Sequence, residues 1–287
     1  MKIGFIGLGI MGESMCENIV KKHDDKVFVN DINRAQVEKL ASLGAVACGN
    51  NIEVMQKADM VFSMVPKSEH VKAIYTELLP YIDESKTIID MSTIDPAVSV
   101  EVSLMVKAKG AQFADAPVVK SKPAAINGTL GILVGCDEEL YPKIEPILKY
   151  MGCNVIRMGE NGKGLVMKIC HNTLVAEIQN GVNETLGLAL KMGIDIDDFA
   201  TAVSYGGAQN FYLDSQRENL KARNWATAFS LENMHKDLGI SQRLSGEQNF
   251  PMPGMENCKA VYDRGMEKGM GKGDFRATFK IVNGIEE

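Results

Sequence analysis

Lys168, His171 and Asn172 stand three and four residues apart in a stretch that contains no proline and keeps a helical apolar period. On a helix, that spacing puts the lysine and the asparagine on one face, one turn apart. A lysine ammonium can give a proton to a forming alkoxide, and the neutral amine can take one from an alcohol. Partial desolvation would bring that exchange toward working pH. The Asn172 amide is placed to hold both the lysine and a substrate oxygen. His171 falls near the same face and is a candidate substrate contact. Read alone, the lysine is equally compatible with an exposed helix surface, and the histidine with an ordinary surface position.

A second chemical signal lies at the other end of the chain, in Gly7-Leu8-Gly9-Ile10-Met11-Gly12. It follows a short apolar strand and opens a helix, and an acidic residue, Asp31, ends the next strand. The first glycine permits the tight turn, the second lets backbone approach a pyrophosphate, and the third lets helix pack on strand. The helix N-terminus adds N–H donors and a positive dipole end. Asp31 suits the ribose hydroxyls of NAD(H) and would repel the 2′-phosphate of NADP(H), although Arg34 would offset part of that repulsion. A ligand-free turn with a solvated Asp31 is the competing reading. A methyltransferase-type nucleotide fold is another, but it uses a differently spaced glycine turn.

The elements that position these groups alternate. Strands are predicted at Lys2–Ile6, Lys26–Asn30, Val46–Cys48, Met60–Val65, Thr87–Asp90, Gln112–Ala116, Gly128–Val134 and Asn154–Met158. Helices are predicted at Met11–Lys22, Arg34–Leu43, Val71–Leu79, Ala97–Lys109 and Glu138–Tyr150. That alternation implies βαβ units around a doubly wound parallel sheet. Gly159, Gly162 and Gly164 form the clearest punctuation and mark the expected domain boundary. Beyond them Leu165–Lys191 reads as one helix of about 40 Å, long enough to bridge two domains. The remainder is helix-like, and the tail after Asn283 is short and acidic.

With 287 residues, 45% hydrophobic and a net charge of −6, the chain has the composition of a globular protein with a real core. The negative balance argues against general affinity for nucleic acid or anionic membrane, yet leaves room for a local basic pocket. The six cysteines are scattered, with no CxxC and no metal-ligand spacing, which suits a reducing cytoplasm and predicts no metal site. No apolar run approaches membrane length, and the N-terminus reads as a strand rather than a signal peptide.

Taken together, Phe5-Ile6-Gly7-Leu8-Gly9-Ile10-Met11-Gly12, Asp90-Met91-Ser92-Thr93, Asp115-Ala116-Pro117-Val118, Gly128-Thr129-Leu130, Lys168 to Asn172 and Lys236-Asp237-Leu238-Gly239 resemble the β-hydroxyacid dehydrogenase family over essentially the whole chain. The family includes 3-hydroxyisobutyrate dehydrogenase, tartronate semialdehyde reductase and succinic semialdehyde reductases. The resemblance implies a Rossmann domain over residues 1–163, an interdomain helix over 164–192 and an all-α domain over 193–287. That last domain usually makes a homodimer or homotetramer interface. The resemblance also implies an NAD(H)-dependent oxidoreductase acting on CH–OH groups, with Lys168 as general acid and base. The Ser92-Thr93 segment would contact the nicotinamide end and the substrate, with Thr93 toward the cofactor and Ser92 toward the substrate. Val65 and Pro66 would border the adenosine side. Lys236 would close on the cofactor, and Phe229 would line the same cavity.

One segment departs from the family. Most members follow Asp-Ala-Pro-Val with Ser-Gly-Gly, whereas this chain has Val119-Lys120-Ser121-Lys122-Pro123. A glycine-based nest of N–H groups for the substrate carboxylate is therefore not expected in its usual form. Lys120 and Ser121 instead bring a cation and a hydroxyl to the place for the anionic tail of a small aldehyde or hydroxyacid. This segment, with Ala125 to Leu130, is similar to the branch containing sulfolactaldehyde reductase. Two solvated lysines on a surface loop are the alternative. An imine reductase or a catalytically silent NAD-binding relative would usually lack the lysine, and the presence of Lys168 argues against both.

Overall fold

The computed structural model describes residues 1–285; the acidic end of the tail, Glu286 and Glu287, lies outside the described residues. The chain divides into two compact units, Met1–Lys168 and Ile169–Glu287.

In the first unit, four-residue apolar runs make strands and the amphipathic segments between them make helices. The order is β1 (Ile3–Ile6), α1 (Gly12–Lys22), β2 (Val27–Asn30), α2 (Arg34–Ser42), β3 (Val46–Ala47), α3 (Asn51–Lys57), β4 (Met60–Ser63), α4 (Ser68–Leu78), β5 (Thr87–Asp90), α5 (Pro96–Lys107) and β6 (Gln112–Asp115). These strands lie side by side as β3-β2-β1-β4-β5-β6, all parallel. β1, β2 and β4 are buried at every position, as strands covered on both faces must be. Alternate residues supply the two cores: Phe5 and Phe62 stack on one face, while Tyr75 meets Phe113 edge-on across the other. The strand order reverses between β1 and β4, so their carboxyl ends border the crevice where such sheets bind ligands.

The far edge is more complex than a continued βαβ series. β7 (Val118–Val119), α6 (Lys122–Asn127), β8 (Leu130–Gly135), α7 (Tyr141–Leu148) and β9 (Gly152–Gly159) follow. β8 runs antiparallel to β6 and β7 and parallel to β9. The sequence assigns no element between Ala116 and Gly128, but a short strand and a short helix form there. Pro123 fits the first turn of α6, and Gly128 closes it in a left-handed conformation. The helix α3 is also unexpected from the sequence; Asn50 caps it by accepting from Glu53 N.

The long helix α8 spans Lys163–Lys191. Asp115, the last residue of β6, caps its start by accepting from Gly162 N at 2.6 Å and Leu165 N at 2.9 Å. The glycine cluster thus stays inside the first unit, and the division falls within α8, after Lys168.

The second unit adds α9 (Ile196–Val203), α10 (Phe211–Lys221), α11 (Leu231–Glu247), α12 (Pro253–Glu267) and α13 (Thr278–Asn283) to the rest of α8. Its core includes a buried ion pair, Asp274–Arg276. The Gln179 side chain on α8 donates to Phe275 O and accepts from Tyr262. Among the described residues, no helix is long and apolar enough to cross a membrane.

Candidate active site

The glycine turn leaves β1 with Gly7 at φ 93°, where a Cβ would lie 2.3 Å from the Met64 carbonyl oxygen. A Cβ on Gly12 would lie 2.1 Å from the Gly7 carbonyl oxygen, so helix and turn pack backbone to backbone. Above Gly9 the situation is reversed: an added Cβ meets nothing within 4 Å, and Gly9 and Ile10 are exposed. Met11 at the helix start makes no side-chain cap. A turn that is tight below, open above and uncapped fits a phosphate group. Leu8, fully buried, donates its N–H to Asp31 Oδ2 at 2.6 Å, and Asn33 N donates to Oδ1 at 2.6 Å. These bonds fix the carboxylate at the end of β2, and each oxygen keeps a second lone pair for a ribose hydroxyl. Arg34 Nη1 turns back to donate to Asn30 Oδ1 and the Cys48 carbonyl.

At the ends of β4 and β5, Val65 and Thr93 are partly exposed and Pro66 is exposed. Ser92 differs from its sequence expectation. It is 1% exposed, its hydroxyl donates to Asp90 Oδ1 at 2.7 Å, and it accepts from Val65 N at 2.9 Å. The strand expected to run to Val65 stops at Ser63, because Val65 N is bonded to this hydroxyl instead of to the ladder.

The Val119–Lys122 turn corrects the expectation that losing the family's glycines removes their backbone conformation. Lys120 has φ 78°, in the left-handed region a glycine would occupy. Its ammonium donates to the Thr129 carbonyl at 2.9 Å, which uses one of its three donors. Ser121 is exposed at the start of α6.

Lys168 is 8% exposed on the second turn of α8, and Asn172, one turn further on, is 5% exposed. In the second unit the Asn172 amide donates to Asp237 Oδ2 at 2.7 Å, and His171 Nδ1 lies 3.2 Å from Asn172 Oδ1. Lys236 Nζ lies 3.3 Å from Asp237 Oδ1. Asp237 is 1% exposed, so this lysine–aspartate pair is not a solvated one. Phe229 is held by its backbone, donating to Asp274 Oδ2 and accepting from Phe275 N, with the two rings edge to face.

Three carboxylates carry more of this arrangement than the sequence reading gave them. Asp237 orients the Asn172 amide, and its place on the buried stripe Leu231, Met234, Leu238, Ser241 was a readable signal. Asp115 sets the start of the helix that bears Lys168; burial pushes its carboxyl up to about 6 against the two N–H bonds that lower it. Asp90 is fully buried and pushed up by desolvation against the hydroxyls of Ser63 and Ser92. The sequence places Asp90 and Asp115 in segments that resemble the family's, but it assigns neither carboxylate a role.

Residues 2–159 match the family described as the NAD binding domain of 6-phosphogluconate dehydrogenase. Residues 162–282 match the family described as NAD-binding of NADP-dependent 3-hydroxyisobutyrate dehydrogenase. A 2-(hydroxymethyl)glutarate dehydrogenase of Eubacterium barkeri is 29% identical over 98% of this chain and 94% of its own length. A mitochondrial 3-hydroxyisobutyrate dehydrogenase of Drosophila melanogaster is 32% identical over 98% and 89%. Among solved structures, the Mycobacterium tuberculosis 3-hydroxyisobutyrate dehydrogenase with L-serine has a TM-score of 0.90 at 25% identity, covering 98% of both chains.

Proposed function

The chain belongs to the β-hydroxyacid dehydrogenase family and is an oxidoreductase acting on CH–OH groups with a nicotinamide cofactor, and from that premise we propose that it interconverts a small anionic aldehyde and its hydroxyacid, with Lys168 as general acid and base. The observation that carries this reading is a buried lysine one helical turn from a buried asparagine whose amide is held by a carboxylate. The bound nicotinamide supplies or accepts the hydride. Lys168 Nζ gives the proton to the carbonyl oxygen in reduction and takes it back in oxidation. Asn172 orients that oxygen, and Asp237 fixes which way the amide points. His171 is the neighbouring substrate contact.

The glycine turn Gly7–Gly12 holds the pyrophosphate, and Asp31 accepts from the adenosine ribose hydroxyls. We read this as a preference for NAD(H) over NADP(H). The fixed Asp31 carboxylate supports it, because it repels a 2′-phosphate, and Arg34 Nη1 is already engaged with Asn30 and the Cys48 carbonyl, which limits how far it offsets that repulsion. Val65, Pro66 and Thr93 meet the cofactor from the next two strand ends, and Phe229 and Lys236 keep the cofactor roles that the family resemblance gives them. Lys120 and Ser121 take the anion of the substrate, a carboxylate or, as in sulfolactaldehyde, a sulfonate.

The test is NADH and NADPH oxidation with succinic, methylmalonic and tartronic semialdehydes and sulfolactaldehyde, by wild type and Lys168→Ala. The expected outcome is turnover of at least one aldehyde with NADH, and loss of about 10²–10⁴-fold in kcat for the variant with NADH still bound. Binding of NADH without turnover of any member of the panel would sink the catalytic reading.

A further inference from the structure

Ser63 on β4 and Asp90 on β5 are paired across the last rung of the parallel ladder. Beyond this rung the two strands end, and main-chain pairing gives way to side chains. Ser63 Oγ and Ser92 Oγ both donate to the same atom, Asp90 Oδ1, each at 2.7 Å. With its hydrogen committed to Asp90, Ser92 Oγ accepts from Val65 N at 2.9 Å. Ser63 Oγ, committed in the same way, accepts from the buried Tyr75 hydroxyl at 2.7 Å. One carboxylate oxygen therefore orients two hydroxyls, and one of those hydroxyls ties the β4 turn to the β5 turn. Asp90 Oδ2 is buried and makes no hydrogen bond among the described residues.

The tie reaches the glycine turn. Val65 Cγ1 sits 3.0 Å from where a Cβ on Gly7 would be, and the Met64 carbonyl is closer still. The Val65 turn thus forms one wall of the Gly7 turn. Its position depends on Ser92, and through Ser92 on Asp90.

We propose that Asp90 and Ser92 are positioning residues for the cofactor: they clamp the β4 and β5 turns so that Val65 and Thr93 stand at fixed places beside the glycine turn. This rests on the cofactor reading above and replaces substrate contact as the role of Ser92. A residue with 1% exposure and a doubly bonded hydroxyl acts through what it holds.

The test is fluorescence titration of the full chain with NADH, alongside KM for the aldehyde it turns over. Ser92→Ala frees Val65 N and is expected to weaken NADH roughly ten-fold with the aldehyde KM nearly unchanged. Asp90→Asn keeps an acceptor oxygen for both hydroxyls and should stay within about three-fold of wild type. Ser99→Ala is the control: Ser99 is equally buried, but its hydroxyl has no hydrogen-bond partner among the described residues, so NADH affinity should not change. If Ser92→Ala does not fold, Ser92→Cys keeps the size, weakens the donor, and is expected to lose roughly three-fold. NADH affinity unchanged in the folded Ser92 variant, or lost equally in Ser99→Ala, would overturn the clamp. Wild type that binds neither NADH nor NADPH would overturn the cofactor reading, and the clamp with it.

Discussion

Two turns of the first unit use the same backbone device, and only one of them uses glycine for it. Gly7 leaves β1 at φ 93°, and Lys120 leaves β7 at φ 78°. At Gly7 the reason is steric, because a Cβ would run into the Met64 carbonyl. At Lys120 a full side chain is accommodated, and the left-handed backbone costs about 1–2 kcal/mol that a glycine would avoid. That retained strain is what motivates the anion-binding role proposed for Lys120. The first turn is shaped by what the backbone must approach. If Lys120 holds the substrate anion as proposed, the second is shaped by what its side chain delivers.

The comparison breaks first at Gly7. Gly7→Ala puts a methyl against main chain and forces a positive φ on alanine. The expected loss is about 4 kcal/mol of first-unit stability, with NADH binding no longer detectable. Urea unfolding and NADH titration read the two effects. A variant as stable as wild type would mean the turn is not held as described.

Lys120 is the next place to press. Lys120→Gly keeps the backbone and deletes the cation; Lys120→Ala deletes the cation and keeps the strain. If the ammonium holds the anion of the substrate, both variants should raise KM for the acidic aldehyde about 10–100-fold, the scale of one charge-assisted contact. Only Lys120→Gly should match or exceed wild-type stability, by about 1 kcal/mol. Steady-state kinetics beside thermal unfolding separates the two. An unchanged KM in Lys120→Gly would leave the lysine with a structural role alone, tied to Thr129.

What was legible in the sequence follows the same division. The glycine turn, Asp31 and the alternation of short apolar runs with helices are local patterns, and local patterns survive in a linear sequence. The long helix was legible because 27 proline-free residues from Leu165 keep one period. The left-handed lysine was not, since lysine rarely adopts that conformation and nothing nearby announces it. Nor was the burial of Ser92, whose partners come from Val65, 27 residues earlier, and from Asp90. The place of Asp237 on a buried helix stripe was readable, but its hold on Asn172, 65 residues away, was not. Groups whose role is to hold another group are read only when the fold brings the two together.

Asp115 sharpens the comparison with a strain that is electrostatic instead of conformational. It lies just before the Lys120 turn, in register with Asp90 on the neighbouring strand, and both carboxyls are pushed up by burial. A carboxyl that titrates near 6 in the fold and 3.8 outside it stabilises fully below the lower value and loses that contribution as pH rises through 6. The exposed carboxylates Asp25, Glu53, Glu69 and Asp83 are lowered by hydrogen bonds and act in the opposite sense, at lower pH than this window. First-unit stability should therefore gain about 1 kcal/mol from Asp115 between pH 7.5 and pH 5. Asp115→Asn should remove that gain. It should also lower stability at every pH, because one amide oxygen cannot accept well from both Gly162 N and Leu165 N. Thermal unfolding of both proteins from pH 5 to 8 reads slope and offset together. An equal slope in the variant would place the titration elsewhere, whereas an equal offset would mean that α8 does not depend on Asp115 for its start.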